Sequence, residues 1–167
     1  LYNVVDTMIV GRFVGVDALA AVGSTGSLNF LIIGFVLGLA AGFGIPIAQA
    51  FGAREEKRML QTIMNAFYLC IFFSIVLTIL THFTTETLLQ WMQTPANIFK
   101  QSYDYISIIF YGLTCTIAYN FLASVSRALG DSKTPLIFLI ISSVLNVVLD
   151  LSMIINFHMG VQGAALA

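Results

Sequence analysis

The chain has 167 residues, 59% of them hydrophobic and only 9% charged, with a formal net charge of −1. Soluble domains carry roughly 25% charged residues, so a water-soluble fold this poor in charge lacks the polar side chains to cover its surface, a need that a lipid surrounding removes. The near-neutral balance excludes a basic nucleic-acid-binding surface, and Cys70 and Cys115 lie in apolar runs as small buried hydrophobes, with neither disulfide nor metal spacing.

Charges punctuate the sequence. Residues 18–53, 59–85 and 105–126 hold none, and residues 134–167 hold one, Asp150. Each run reaches the roughly 20 residues that cross the hydrocarbon as a helix, and helix is the open-chain form that satisfies every backbone polar group within one segment. This predicts an all-α polytopic membrane protein with spans at residues 1–14, 27–51, 58–83, 103–129 and 135–156 and a sixth starting near Val161. The first residue lies inside a span, the last inside another, and no initiator Met is present, so a fragment of a longer chain is expected.

The first span carries Asp6, with Tyr2 four residues before it on the same helix face. The second carries Gly34, Gly38 and Gly42 at spacings of four, then Gly44 and Pro46. Small residues at that spacing predict close helix packing, and Gly44 to Pro46 predicts a bend suited to gating. After the third span, residues 84–95 mix Leu88, Leu89, Trp91 and Met92 with polar residues and predict a short interfacial helix. Thr94-Pro95 reads as a helix start. The fourth span carries Asn120, and the fifth carries Asn146 and Asp150, again four apart. Gln49 and Asn65 are expected to bond between helices, and His82 and His158 to lie at the interface.

The loops after the second and fourth spans hold Arg54, Lys57, Arg58, Arg127 and Lys133, while the opposite side holds only Arg12 and Lys100. The positive-inside rule puts residues 52–58 and 127–135 in the cytoplasm. Helical rise then places Asp6 about 9 Å below the outer end of its helix, Asp150 about 25 Å above the cytoplasmic end of its own, and Asn120 only about 10 Å from that end.

A charge in mid-span costs roughly 2.5–3.5 kcal/mol on insertion scales and marks function by default. Asp6 and Asp150 reach similar depth in the outer half and share a cavity in this reading. A carboxylate beside an amide oxygen offers hard ligands for Na⁺, and two close carboxylates out of water make a proton site. The competing readings are an Asp capping a broken helix, an Asp satisfied by backbone and hydroxyl groups, and an intramembrane aspartyl protease pair. No phosphate loop, zinc-protease or serine-hydrolase motif is present.

Five stretches resemble the multidrug and toxic compound extrusion (MATE) transporters: residues 1–11 (LYNVVDTMIVG), 38–53 (GLAAGFGIPIAQAFGA), 127–135 (RALGDSKTP), 145–150 (LNVVLD) and 160–167 (GVQGAALA). The resemblance implies a two-lobe fold of six helices per lobe, of which this chain is most of the N-terminal lobe, partnered by a C-terminal lobe outside the sequence. It implies a multi-pass protein of a bacterial inner or plasma membrane. It implies export of cationic and amphipathic drugs or toxic compounds in exchange for H⁺ or Na⁺, with no enzymatic activity and no cofactor beyond the coupling ion. The family's N-lobe cation site falls on Asp6, Asn146, Asp150 and Asn120, with Tyr2 from the first helix. The alternative within the superfamily, a lipid-linked oligosaccharide flippase, is expected to carry cationic residues in its cavity, and the spans here offer none. A non-transporting assembly subunit is the remaining alternative.

Overall fold

The computed structural model describes residues 2–167, with side chains from Asp6 onward. The described residues form seven α-helices and one π-helical turn. These are α1 (Tyr2–Phe13), α2 (Val16–Gly52), α3 (Glu56–Trp91), α4 (Ala96–Tyr111), α5 (Leu113–Ala128), α6 (Lys133–Leu151), the π-helical turn Ser152–Asn156 and α7 (Val161–Leu166). Three stretches are long and apolar enough to cross a membrane: α2, α3 and Lys133–Asn156. A fourth is added if α4 and α5, broken at Gly112, count as one span.

Three elements differ from the sequence expectation, the first being the fourth span, expected unbroken over residues 103–129 but formed by α4 and α5 with a 44° bend between them. The second helix starts at Val16 rather than near residue 27, because Ser24 and Thr25, which read as a loop, turn their hydroxyls onto the Ala21 and Val22 carbonyls of their own helix. There is also no separate interfacial helix at residues 84–95. α3 runs unbroken to Trp91, since Thr81, Thr85 and Leu89 at spacings of four form a buried stripe on one face. α4 begins directly after Pro95.

Three helix ends share one termination. After α5, the Gly130 N–H donates to the Arg127 carbonyl and the Asp131 N–H to the Ser126 carbonyl, with Gly130 left-handed at φ 89°, the Schellman pattern. α2 ends likewise at Arg54 (φ 58°) and α3 at Gln93 (φ 54°). Beyond Gly130, Asp131 accepts from the Lys133 and Thr134 N–H groups at 3.1 and 3.0 Å and caps α6. The Arg-Ala-Leu-Gly-Asp-Ser-Lys-Thr-Pro stretch is therefore a helix stop followed at once by a helix start.

The described chain divides into two compact units. One gathers the described residues up to Phe30, Leu80–Tyr111 and Ile140–Ala167, and the other Leu31–Ile79 and Gly112–Leu139. The first has a core of Ile9, Val10, Ala18, Val22, Tyr105, Ile154, Val161 and Ala164. The second is tied by Phe67 against Phe121, Phe35 against Phe73, and a hydrogen bond from Ser74 to Thr114 at 2.8 Å. Most of α6 is exposed apolar surface, as suits a helix whose outer solvent is lipid. Cys70 is buried, but Cys115 is exposed, contrary to the sequence reading, because it lies on an outward face of α5. Gln49 and Asn65 are exposed as well, so neither serves as a buried interhelical link within this chain.

Candidate functional site: a buried carboxylate pair

α1 and α6 each carry an acidic residue into the core of the first unit. Asp150 is 0% exposed, Asp6 6% and Asn146 9%. Asn146 and Asp150, one helical turn apart, face the same way. Asp6 lies within hydrogen-bonding reach of both the Asp150 and the Asn146 side chains. The three residues thus form one cluster, although they come from opposite ends of the chain.

The cluster is rich in acceptors and short of donors. Asp6 Oδ1, Asn146 Oδ1 and both carboxylate oxygens of Asp150 are buried without a hydrogen-bond partner. Buried polar atoms are nearly always paired, and an uncompensated buried charge costs several kcal/mol. Four such oxygens in one place are acceptors that a proton, a cation or a bound water can satisfy. Oxygen-only donors of this kind are hard ligands, suited to H⁺ or Na⁺ rather than to soft metals.

Two neighbours were not singled out from the sequence. Tyr105 of α4 is 2% exposed and close enough to feel the charges of both Asp6 and Asp150. Its only sequence signal is helical spacing from Ser102, too common to stand out. The π-helical turn Ser152–Asn156 starts two residues beyond Asp150, with the Phe157 N–H reaching back to the Ser152 carbonyl at 3.3 Å. Single π-turns recur at functional sites because they re-aim the residues beside them.

The remaining sequence candidates lie elsewhere. The Tyr2 side chain falls outside the described residues. Asn120 belongs to the second unit, where its amide donates to the Thr116 carbonyl of its own helix at 2.8 Å. The glycine expectation needs correction. A Cβ built on Gly34, Gly38 or Gly42 meets nothing within 4 Å, so that stripe makes no close helix contact within the described chain. The tight contact is at Gly44, where a Cβ would come 2.5 Å from Ser124 Oγ. Ser124 in turn donates to the Ala40 carbonyl at 2.7 Å, which fixes α5 on α2. Pro46 sits inside α2 and lacks the N–H that would bond the Gly42 carbonyl.

Comparison with known proteins gives this geometry a context. The sequence matches the MatE family over residues 1–151. It is 36% identical, across 99% of its length, to the probable multidrug resistance protein YoeA of Bacillus subtilis, and 34% identical, across 98%, to the probable multidrug resistance protein YpnP of the same organism. These matches cover 36% and 37% of the two relatives, so the chain spans little more than a third of their length. Among solved structures, it is similar to a crystal structure of MATE in the bent conformation, with a TM-score of 0.94 and 27% identity over 99% of this chain and 37% of that one. It is also similar to the inward-facing conformation of a multidrug resistance MATE family transporter of the MOP superfamily, with a TM-score of 0.93 and 26% identity over 98% of this chain and 37% of that one.

Proposed function

The chain belongs to the MatE family, a family of multi-pass membrane transporters rather than enzymes, and from that premise we propose that it is the cation-binding part of the N-terminal lobe of a secondary antiporter. The complete protein exports cationic and amphipathic compounds from a bacterial cell in exchange for H⁺ or Na⁺ across the plasma membrane. Residues 52–58 and 127–135 face the cytoplasm, as their basic residues favour.

One observation carries the reading: Asp6 and Asp150 are buried within reach of each other while Asp6 Oδ1 and both Asp150 oxygens lack donors. In the proposed cycle the coupling cation binds between Asp6, Asn146 and Asp150. Occupancy relieves the repulsion of two carboxylates out of water, so the loaded and empty states favour different packing of α1 against α6. A cation shifts this equilibrium only by its differential affinity for the two states, and paired carboxylates make that difference large. The repacking passes to the rest of the lobe, which rocks against the remainder of the chain. Asn120 and Gly44 to Pro46 have no assigned part in cation binding in this scheme.

The test is efflux of a cationic dye from vesicles holding the complete chain, driven by an imposed pH or Na⁺ gradient. Asp6→Asn and Asp150→Asn are each expected to abolish gradient-driven efflux while the protein still inserts. Wild-type efflux in both variants sinks the proposal.

A further inference from the structure

The short helix α7 has no part yet in the reading of the carboxylate cluster, although it touches the elements that build it. It contacts α1, which carries Asp6, and the π-helical turn that continues from Asp150. It also contacts α4, where Gln162 donates to Asp104 at 3.2 Å. Its inward side is small and buried, formed by Val161, Gly163 and Ala164. Val161 and Ala164 share one apolar core with Val10 of α1 and Ile154 of the π-turn.

Gly163 makes the closest approach. A Cβ there would stand 3.1 Å from Met153 Cβ, 3.2 Å from Met159 Cβ and 3.4 Å from the Met153 carbonyl carbon. Carbon atoms pack best at about 3.5–4.0 Å, so α7 lies against the π-turn at a distance that glycine alone meets without pushing. The atoms it would push are backbone atoms or are bonded directly to backbone. No side-chain rotation makes room for them, and the π-turn itself would have to shift.

An unusual connection brings α7 to this contact. His158 is left-handed at φ 54°, and the Met159 N–H donates to the Met153 carbonyl at 3.1 Å. Gly160 then enters α7 at φ 58° and ψ −134°, a backbone region open to glycine and closed to residues with a Cβ. Met153 is thus held twice, by the hydrogen bond from Met159 and by the contact with Gly163.

Met153 lies three residues beyond Asp150, close to one helical turn. A π-turn closes its hydrogen bonds over five residues instead of four. It can relax to α-helix only by slipping the chain on one side by one residue, about 1.5 Å of rise and 100° of rotation. A slip of that size on the α6 side would carry Asp150 away from Asp6.

Resting on the reading of Asp6, Asn146 and Asp150 as the coupling-cation site, we infer that Gly163 is a positioning residue for that site. Its missing side chain lets α7 seat on Met153, and this seating holds the register of the π-turn and with it the direction in which Asp150 faces Asp6. Gly163 does not touch the cation; it acts through Met153 and the helix turn between Met153 and Asp150.

The test is efflux of a cationic dye from vesicles holding the complete chain, at a range of coupling-cation concentrations, so that half-saturating concentration and maximal rate are read separately. The cation is Na⁺ or H⁺, whichever gradient drives the wild type. Groups that orient cation ligands without touching the cation contribute about 10–100-fold to affinity. Gly163→Ala is expected to raise the half-saturating concentration by roughly tenfold, with the maximal rate per inserted molecule kept within about twofold. Adding Met153→Gly, which takes away the Cβ that the alanine meets, should bring half-saturation back toward wild type. Where Gly163→Ala does not insert, Gly160→Ala, which strains the connection into α7, is expected to shift half-saturation in the same direction. A wild-type half-saturating concentration in both single variants overturns the inference. So does a fall in maximal rate alone, which is what a merely structural glycine would give. Wild-type efflux in Asp6→Asn and Asp150→Asn instead overturns the cation site itself, whatever the glycine variants do.

Discussion

Asp6 of α1 and Asp150 of α6 lie within hydrogen-bonding reach of each other, and neither oxygen of Asp150 has a donor. Each carboxylate is thus the other's main electrostatic neighbour, and the two bind a cation as a unit. Groups that act as a unit are strongly non-additive when removed. Asp6→Asn/Asp150→Asn together should therefore lose no more gradient-driven efflux than either change alone. The same cycle run on thermal midpoint carries the opposite sign. Each Asn relieves carboxylate repulsion, so single variants should melt no lower than wild type. Dye efflux and melting of purified complete protein check both halves.

A second prediction concerns Gly44. Alanine there would place its Cβ 2.5 Å from Ser124 Oγ. The hydroxyl can swing away only by giving up its bond to the Ala40 carbonyl, a loss of about 1 kcal/mol. Relative to Gly38→Ala, which gains the same helical backbone entropy, Gly44→Ala should be destabilised by about that amount, Ser124→Ala should lose about as much relative to wild type, and the double variant should lose the bond only once, since Ser124 Cβ stands at an ordinary 3.8 Å. Gly38→Ala meets nothing within 4 Å and serves as the control, with no loss of stability from contacts inside this chain. Denaturation in detergent reads all four.

Much of this was legible in the residues, and what was not has specific physical causes. Uncharged runs reveal spans because lipid forces helix on any apolar stretch. Buried carboxylates stand out because their cost is high, which is how Asp6, Asn146 and Asp150 were found together. Helix ends were harder to read. Ser24 and Thr25 resemble loop residues until their hydroxyls bond back to Ala21 and Val22. Arg54 and Gln93 terminate helices in a left-handed conformation that neither residue advertises. The glycine stripe shows why spacing alone misleads. Gly34, Gly38 and Gly42 repeat regularly yet touch nothing close, while Gly44, out of step with them, meets Ser124. Tyr105 was invisible for a related reason: a tyrosine in an apolar helix acquires meaning only from what faces it across the fold.

Asp131 offers a prediction in pH. Hydrogen bonds from the Thr134 side chain and from the Thr134 and Lys133 N–H groups hold its carboxyl below the usual 3.8. A lowered folded value means that the unfolded chain binds the proton more readily. The cap's contribution is therefore fully present above 3.8 and is lost as the pH falls through the folded value. Asparagine caps equally well but does not titrate. Hydrogen exchange at the Lys133 and Thr134 amides should match in wild type and Asp131→Asn at neutral pH. Below 3.8, wild type should exchange faster than the asparagine variant, after correction for intrinsic rates. Equal protection in Asp131→Ala at neutral pH would show that the cap does not hold α6.

The three Schellman ends supply the last test, because they place different residues in one backbone state. Gly130 occupies it at φ 89° without penalty, while Gln93 occupies it at φ 54° with a side chain that crowds the following carbonyl. Left-handed backbone costs an L-residue with a Cβ about 1–2 kcal/mol relative to glycine. Gln93→Gly should accordingly stabilise the end of α3 by about 1 kcal/mol, less what glycine loses in the unfolded chain. Gly130→Ala should destabilise the α5–α6 turn by a similar amount. The two effects have opposite signs and lie in different compact units, so the double variant should melt close to wild type. A pair of shifts in the same direction would mean that the left-handed residues do not set these helix ends.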